Sequence, residues 1–143
     1  MSDRLSGLLG LFLATFLLST MSACGHDQQL ESITVIPAVE NFGSTKTPVI
    51  DNAGLNVQLR ALGSYIHPPV TKDITSQVTW TSNTPQMVTV DANGVITATG
   101  LACGGTIISA TIVTNHSDGA ISSTGALVTG SMQANVICPT QSP

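Results

Sequence analysis

Three adjacent residues, His116, Ser117 and Asp118, carry the side-chain types of a hydrolytic triad. Such a triad would use the hydroxyl as nucleophile, the imidazole as base and the carboxylate to orient the imidazole. Consecutive residues in one loop cannot hold that geometry, which is assembled from distant segments, so we interpret the tripeptide as an ordinary turn. The sequence also lacks a GxSxG elbow, a Walker loop and an HExxH helix. We therefore predict a protein without catalysis or cofactor.

The residues that could bind a metal are dispersed along the sequence. The histidines, His26, His67 and His116, are far apart, and no histidine or third cysteine lies at ligand spacing from Cys103 and Cys138. Acidic residues could bind Ca²⁺ if loops brought them together, but Asx-type turns are their more common role beside turn residues. The acids in such positions are Asp51, Asp73, Asp91 and Asp118. We predict no metal site.

Cys24 follows an apolar run, residues 8–18, and a short stretch of small residues. This layout is typical of a secretory signal, and the run is shorter than the ~20 apolar residues of a membrane-spanning helix. Met21-Ser22-Ala23-Cys24 resembles the lipobox of bacterial lipoprotein signal peptides, with Met21 where that family usually has leucine. The resemblance implies cleavage before Cys24, a thioether-linked diacylglycerol on its sulfur and an acylated amine. The alternative is a plain signal peptide followed by an incidental cysteine.

Lipidation of Cys24 would leave Cys103 and Cys138 as an even pair of cysteines. In an oxidising compartment such a pair is expected to form a disulfide. The bridge would close a loop of 35 residues. The chain-entropy model values a loop of that length at about 4 kcal/mol. Two buried free thiols are the alternative.

The composition limits the classes of partner. The formal net charge is −4 and charged residues make up only 8% of the chain, which disfavours nucleic acid and charge-driven binding to anionic lipid. Aromatic residues are scarcer still, with three after the leader: Phe42, Tyr65 and Trp80. A sugar site could use Tyr65 and Phe42, whereas Trp80 alternates with threonines and is predicted to lie in the core.

Turn residues recur along the whole mature chain, and no apolar stripe has helical spacing. The composition therefore predicts an all-β domain. In residues 54–62, alternation places Leu55, Val57, Leu59 and Ala61 on one face of a strand. Asn93-Gly94 between two apolar stretches is a strong hairpin signal. The remaining strands are predicted at residues 33–36, 78–81, 88–90, 95–96, 106–114 and 126–137.

The block from Val78 to Thr111 resembles the bacterial immunoglobulin-like domain, group 2, of surface proteins and of intimin- and invasin-type adhesins. The resemblance implies an immunoglobulin-like two-sheet β-sandwich and a role in adhesion or spacing. The family usually has Ser-Asn-Pro where this chain has SNTP at 82–85, and the region after Thr111 is longer than usual. The matching residues are VTWTSN at 78–83, Pro85, VTVDANGVITA at 88–98, Gly100 and the strand at 105–110, with 57–61 and 33–37 matching the early strands.

The disulfide constrains how the last two strands pair. If Cys103 and Cys138 lay directly opposite, Ile108 would pair with Gln133, which would put a polar side chain on an apolar face. A slip of one residue would pair Ile108 with Met132 or Ala134 instead. We therefore expect a β-bulge at Gly104-Gly105 to reconcile the pairing with the bridge.

These observations predict one small exported domain. We expect a signal peptide at residues 1–23, a polar tether at 24–31, the immunoglobulin-like domain at 32–139 and a tail at 140–143. The protein would be anchored to the bacterial cell envelope through Cys24. In the lipoprotein family that it resembles, an aspartate after the cysteine retains the protein in the inner membrane, so Gly25 favours the outer membrane where one exists. We predict a non-enzymatic module for protein interaction, adhesion or structural spacing, with an unknown envelope or surface protein as partner. The alternative is a glycan-binding module for peptidoglycan or surface polysaccharide.

Overall fold

The protein is an all-β sandwich, as the sequence predicts. The computed structural model describes residues 28–114 and 125–140. The predicted signal peptide, Cys24 and the segment with His116 lie outside the described residues. Within the described stretches the chain forms strands β1 (Gln29–Ile36), β2 (Val39–Phe42), β3 (Asn56–Gln58), β4 (Arg60–Ile66), β5 (Val70–Asp73), β6 (Thr79–Ser82), β7 (Val88–Val90), β8 (Val95–Ala98), β9 (Gly104–Thr114) and β10 (Ala126–Val136), with one 3₁₀ turn at Val49–Asn52.

The strands are arranged in two layers. One is a four-stranded sheet in the order β2-β10-β9-β6. The other combines the sheets β1-β4-β5 and β3-β8-β7, because β3 and β4 follow each other directly through Leu59. Inward-facing side chains of both layers form a single core. Its most deeply buried large members are Leu59, Ile74, Val88, Ile96, Ile108 and Val136, and burying each such side chain contributes about 1.5–3 kcal/mol.

The single strand predicted at residues 54–62 is wrong in two respects. It is split in two, because the chain changes neighbours at Leu59: β3 pairs with β8, whereas β4 pairs with β1 and β5. Leu59 and Ala61 are fully buried as expected, but Val57 is only half-buried and Leu55 is 47% exposed. Leu55 lies before β3 begins, so the alternation of the strand does not apply to it and its side chain does not share the buried face.

The ends of the domain also differ from the predicted boundaries. The first strand begins at Gln29, so residues 29–31 of the predicted tether belong to the domain instead. The reason is Leu30, which is only 3% exposed and belongs to the core. At the other end, the backbone of Thr140 donates a hydrogen bond to the Thr45 carbonyl (2.9 Å), so the first residue of the predicted tail is held by the domain.

The hairpin predicted at Asn93-Gly94 is present, joining β7 to β8. Gly94 has φ +81° and lies against the ring of Trp80. The indole is 8% exposed, and its Nε1 donates a hydrogen bond to the Thr75 carbonyl (3.1 Å). The prediction that Trp80 lies in the core is therefore confirmed.

The pairing of β9 with β10 follows the slipped register, with Ile108 opposite Met132. The bulge expected at Gly104-Gly105 is wrong, because the ladder runs without interruption from Gly104 opposite Val136 to the far end of both strands. Cys103 and Cys138 both lie outside the ladder, so the offset between them needs no extra residue within a strand.

Candidate functional site

The strand directions define two ends of the sandwich. Gln29 pairs with Ile66, and β10 runs beside β1 in the same direction, with Gly130 against the Ile33 carbonyl. The starts of β1 and β10 therefore share one end, which we call the Gln29 end. The opposite end carries the cysteine pair, and we call it the disulfide end. β9 has 11 residues, so the two ends lie about 35 Å apart at the usual rise per residue.

The disulfide end is braced by Cys103 and Cys138. Their sulfur atoms lie 2.11 Å apart, at the distance of a disulfide bond, and their Cα atoms lie 5.1 Å apart. Cys103 is half-buried and Cys138 is exposed. The bridge joins the segment before β9 to the segment after β10, so it holds together the loops at this end.

Three large aliphatic side chains lie exposed at the disulfide end: Ile50, Leu55 and Leu101, with 63%, 47% and 75% of their surface accessible. We call them the aliphatic tip. Their backbone segments are in contact, because the Ala98 amide donates to the Leu55 carbonyl (2.9 Å). A Cβ at Gly100 would also lie 3.0 Å from the Ile50 carbonyl oxygen. Exposed aliphatics grouped in this way are typical of a contact surface rather than of ordinary surface residues.

A cleft of about 310 Å³ opens at the same end. It is lined by uncharged residues: Asn83, Thr84, Gly105, Thr106, Ile107 and Gln133. Its volume falls at the lower limit of ligand pockets, about 300 Å³. The lining offers amide and hydroxyl groups beside one exposed aliphatic side chain. Such a lining suits an uncharged, hydroxyl-rich or peptide-like group better than an ion.

The outer face of the four-stranded sheet is also uncharged, since β6, β9 and β10 contain no charged residue. Glu40 of β2 pairs with the buried Ala134 and so belongs to the opposite face. Amide side chains lie in a row across it: Gln133 Nε2 donates to Asn135 Oδ1 (3.0 Å), and Asn135 Nδ2 donates to Asn41 Oδ1 (2.9 Å). The charged side chains of the described residues therefore lie outside this face. A partner could bind here without removing a charged group from water.

The carboxylate of Asp73 is the most strongly perturbed acid among the described residues. The Thr75 hydroxyl (2.6 Å) and backbone amide (3.0 Å), followed by Arg60, lower the pKa of Asp73 from 3.8 to about 2. Arg60 and Asp73 are joined at 2.9 Å. The backbone carbonyl of Thr75 in turn accepts the hydrogen bond from Trp80 Nε1. The role of this cluster is structural, because the Asp73 carboxylate is already bound by Thr75 and Arg60 of the same chain.

The aromatic pair proposed for a sugar site is not available as a platform. Phe42 is 4% exposed and belongs to the core, whereas Tyr65 is half-buried in the other layer. Lys72 Nζ also lies 4.9 Å from the centre of the Tyr65 ring and covers it. These two residues therefore do not provide an exposed aromatic ring on which a sugar could stack.

The predicted chemical residues that the structure describes are not brought together. Asp51 lies in the 3₁₀ turn, Asp73 is the last residue of β5, and Asp91 lies between β7 and β8. His67 lies in the turn between β4 and β5. Within residues 28–114 and 125–140, no group of three or more histidine, cysteine, aspartate or glutamate side chains could hold a metal ion.

The membrane attachment predicted at Cys24 lies outside the described residues. Among those that are described, no helix has the length and apolar character needed to cross a bilayer.

Sequence reasoning missed the aliphatic tip and the cleft. Leu55 was assigned to a buried face by alternation, and Ile50 and Leu101 lie in segments without periodicity. The only signal was the presence of large aliphatics beside glycines in turn segments, at Ala53-Gly54 and Gly100. Comparison with known proteins identifies no relative, because neither a family model nor a curated protein matches this chain.

Proposed function

We propose that this protein is an exported, lipid-anchored module of the bacterial cell envelope, with an immunoglobulin-like domain that binds a protein partner through its disulfide end. The lipobox-like sequence at Cys24 supports the anchor, and the all-β sandwich supports the domain type. The outer membrane is the favoured location where one exists. The role is non-enzymatic: interaction, adhesion or spacing.

The aliphatic tip is the observation that carries this proposal. Eight large hydrophobic side chains are exposed among the described residues, and three of them, Ile50, Leu55 and Leu101, lie together at one end. Burying them under a partner would contribute about 25 cal/mol per Å² of apolar surface removed from water. The disulfide fixes the neighbouring loops before binding, which lowers the entropic cost of association.

The position of the tip also fits an anchored protein. The described chain begins at Gln28, at the end about 35 Å away from the disulfide by the rise of an extended strand. An anchor at Cys24 would hold the Gln29 end near the membrane and leave the disulfide end facing outward. The tip would then lie where a partner in the envelope or outside the cell can reach it.

Site-specific photo-crosslinking tests the proposal. A photoreactive amino acid replaces Leu101 in the protein expressed in its native cells. Leu127, near the start of β10 at the Gln29 end and 66% exposed, serves as the matched aliphatic control. We expect a discrete protein adduct from position 101 that Leu55→Asp abolishes. Adducts from both positions alike, or an adduct insensitive to Leu55→Asp, would overturn the assignment of the interface.

The cleft favours a second candidate, a glycan-binding module. Asn83, Thr84 and Gln133 supply neutral hydrogen-bonding groups beside Ile107. Retention of the protein on insoluble peptidoglycan or surface polysaccharide, lost in Gln133→Ala but kept in Leu101→Asp, would select this function over protein contact. No retention would discard it.

A further inference from the structure

The turn between β4 and β5 lies beside the point where the described chain begins. Gln29 pairs with Ile66, and Lys72 donates a hydrogen bond to the side chain of Gln28. Residues 67–69 continue past this pair before β5 returns, so the turn extends beyond Gln29 along the strand direction. It is a projecting element at the Gln29 end.

The length of the preceding segment limits how far this turn can be from a lipid on Cys24. Three residues lie between Cys24 and Gln28, so the two are four steps apart along the chain. An extended chain spans at most about 3.6 Å per step, or about 14 Å in all. The headgroup region on each side of a bilayer is itself about 5–8 Å thick. A lipid on Cys24 therefore keeps Gln28, and the turn beside it, within reach of the headgroups, at most about 14 Å from the anchored residue.

The residues of the turn suit that environment. Pro68, Pro69 and Val70 are exposed and uncharged, with Val70 37% accessible. Next to them, Lys72 covers the ring of Tyr65 with its ammonium group 4.9 Å from the ring centre. Tyrosine and long cationic side chains are the residues that membrane interfaces favour, because each combines an apolar body with a polar end.

Charge does not drive this contact. Arg60 pairs with Asp73, and exposed Glu31 on the neighbouring β1 offsets Lys72. The contact would therefore form on zwitterionic lipid. A weak contact is sufficient, because the anchor makes it intramolecular and short flexible linkers give millimolar effective concentrations.

We propose that residues 67–70 of the β4–β5 turn dock on the lipid headgroup surface when Cys24 is acylated. The docked turn sets the orientation of the sandwich and directs the aliphatic tip away from the bilayer. This inference rests on the proposed anchoring at Cys24. A rigid orientation distinguishes it from a domain that tumbles on its tether.

Fluorescence quenching by lipid tests the contact. The full acylated protein is reconstituted in phosphatidylcholine vesicles with brominated acyl chains, as Val70→Trp and as the matched Leu101→Trp at the other end. Both variants retain Trp80, whose signal in the unsubstituted protein is subtracted. We expect the Val70→Trp emission to shift to shorter wavelength and to be quenched, and the Leu101→Trp emission to stay unquenched. Equal quenching at both positions would overturn the docking.

The unsubstituted protein provides a second readout, because tryptophan itself favours interfaces. Within residues 66–70, Ile66, His67 and Val70 carry backbone amide hydrogens. Their exchange should slow on vesicles relative to the Cys24→Ser protein in solution, while exchange at residues 100–102 stays unchanged. Unchanged exchange at 66–70 would overturn the docking even if the tryptophan is quenched. Flotation with vesicles separates the two proposals: a protein that fails to float refutes the anchor, whereas one that floats without these signals refutes only the docking.

Discussion

Replacement of Gly94 by alanine tests how the hairpin covers Trp80. Gly94 is buried in the turn between β7 and β8 with φ +81°, and an added Cβ would lie 2.9 Å from the indole carbons Cε2 and Cζ2. Gly54 is the matched control, because it has φ +85° and an added Cβ there would meet nothing within 4 Å. The two substitutions share the backbone strain and differ in the contact with the ring.

The expected losses follow from that difference. An alanine in the left-handed region costs about 1–2 kcal/mol, which is the whole effect expected for Gly54→Ala. At Gly94 the methyl group must also displace the indole by several tenths of an ångström to reach ordinary contact at 3.4 Å. Overpacking of this kind adds about 1–3 kcal/mol. We therefore expect Gly94→Ala to reduce the free energy of unfolding by about 2–5 kcal/mol.

Urea unfolding followed by tryptophan fluorescence measures both effects. Trp80 is the only tryptophan in the chain, so its emission reports directly on the displaced ring. With a urea slope of about 2 kcal/mol/M, an extra 2 kcal/mol lowers the midpoint by about 1 M relative to Gly54→Ala. Equal midpoints for the two variants, with native emission from Gly94→Ala, would refute the packing of the turn on the indole.

Two further predictions concern covalent and ionic links. Replacement of Cys103 and Cys138 by serine should lower the free energy of unfolding by about 4 kcal/mol in the chain-entropy model, and reduction of the unsubstituted protein should give the same loss in urea unfolding. A smaller loss from reduction than from substitution would show that the bridge is not formed. The pKa of Asp73 is lowered to about 2, so its contribution to stability is complete above its unfolded value of 3.8 and is lost as the pH falls towards 2. Asp73→Asn should therefore lose less stability between pH 4 and pH 2 than the unsubstituted protein, and parallel pH profiles of the urea midpoints would contradict this.

The parts of the fold that were predicted correctly depend on short-range chemistry. Gly94 specifies the turn after Asn93 because its φ is +81°, which few residue types other than glycine accept. Trp80 alternates with threonines on a four-residue strand. Side chains alternate between the two faces of a sheet, so this pattern places Trp80 on the face opposite the threonines. The slipped register of Ile108 and Met132 followed from matching apolar faces.

The errors arose where distant segments decide the structure. Local alternation carries through Leu59 without a break, but the strand exchanges one set of partners for another there. The pairing of β2 with β10 is parallel and joins residues that lie far apart in the chain, so no local pattern announces it. The bulge was expected from the premise that Cys103 lies directly opposite Cys138. Both lie beyond the ladder, where an offset of one residue needs no bulge.

The candidate site was less predictable than the fold. Alternation identifies an aliphatic residue such as Leu55 but not whether a second layer covers it. Ile50 lies in a 3₁₀ turn and Leu101 in a connection, where the sequence gives no period from which burial could be inferred. Exposure of these side chains is a property of the assembled sandwich, and only the structure shows it.

The cross-link between Cys103 and Cys138 affects how the domain would resist mechanical force. A pull applied between residues 28 and 140 acts along the strands, so it loads the β2–β10 pair in shear and its hydrogen bonds must break together. Force that arrives at residue 140 reaches Cys138 first and passes through the sulfur atoms to Cys103 and β9. The last strand therefore cannot be peeled away alone, and the tension is shared by the two longest strands of the sandwich.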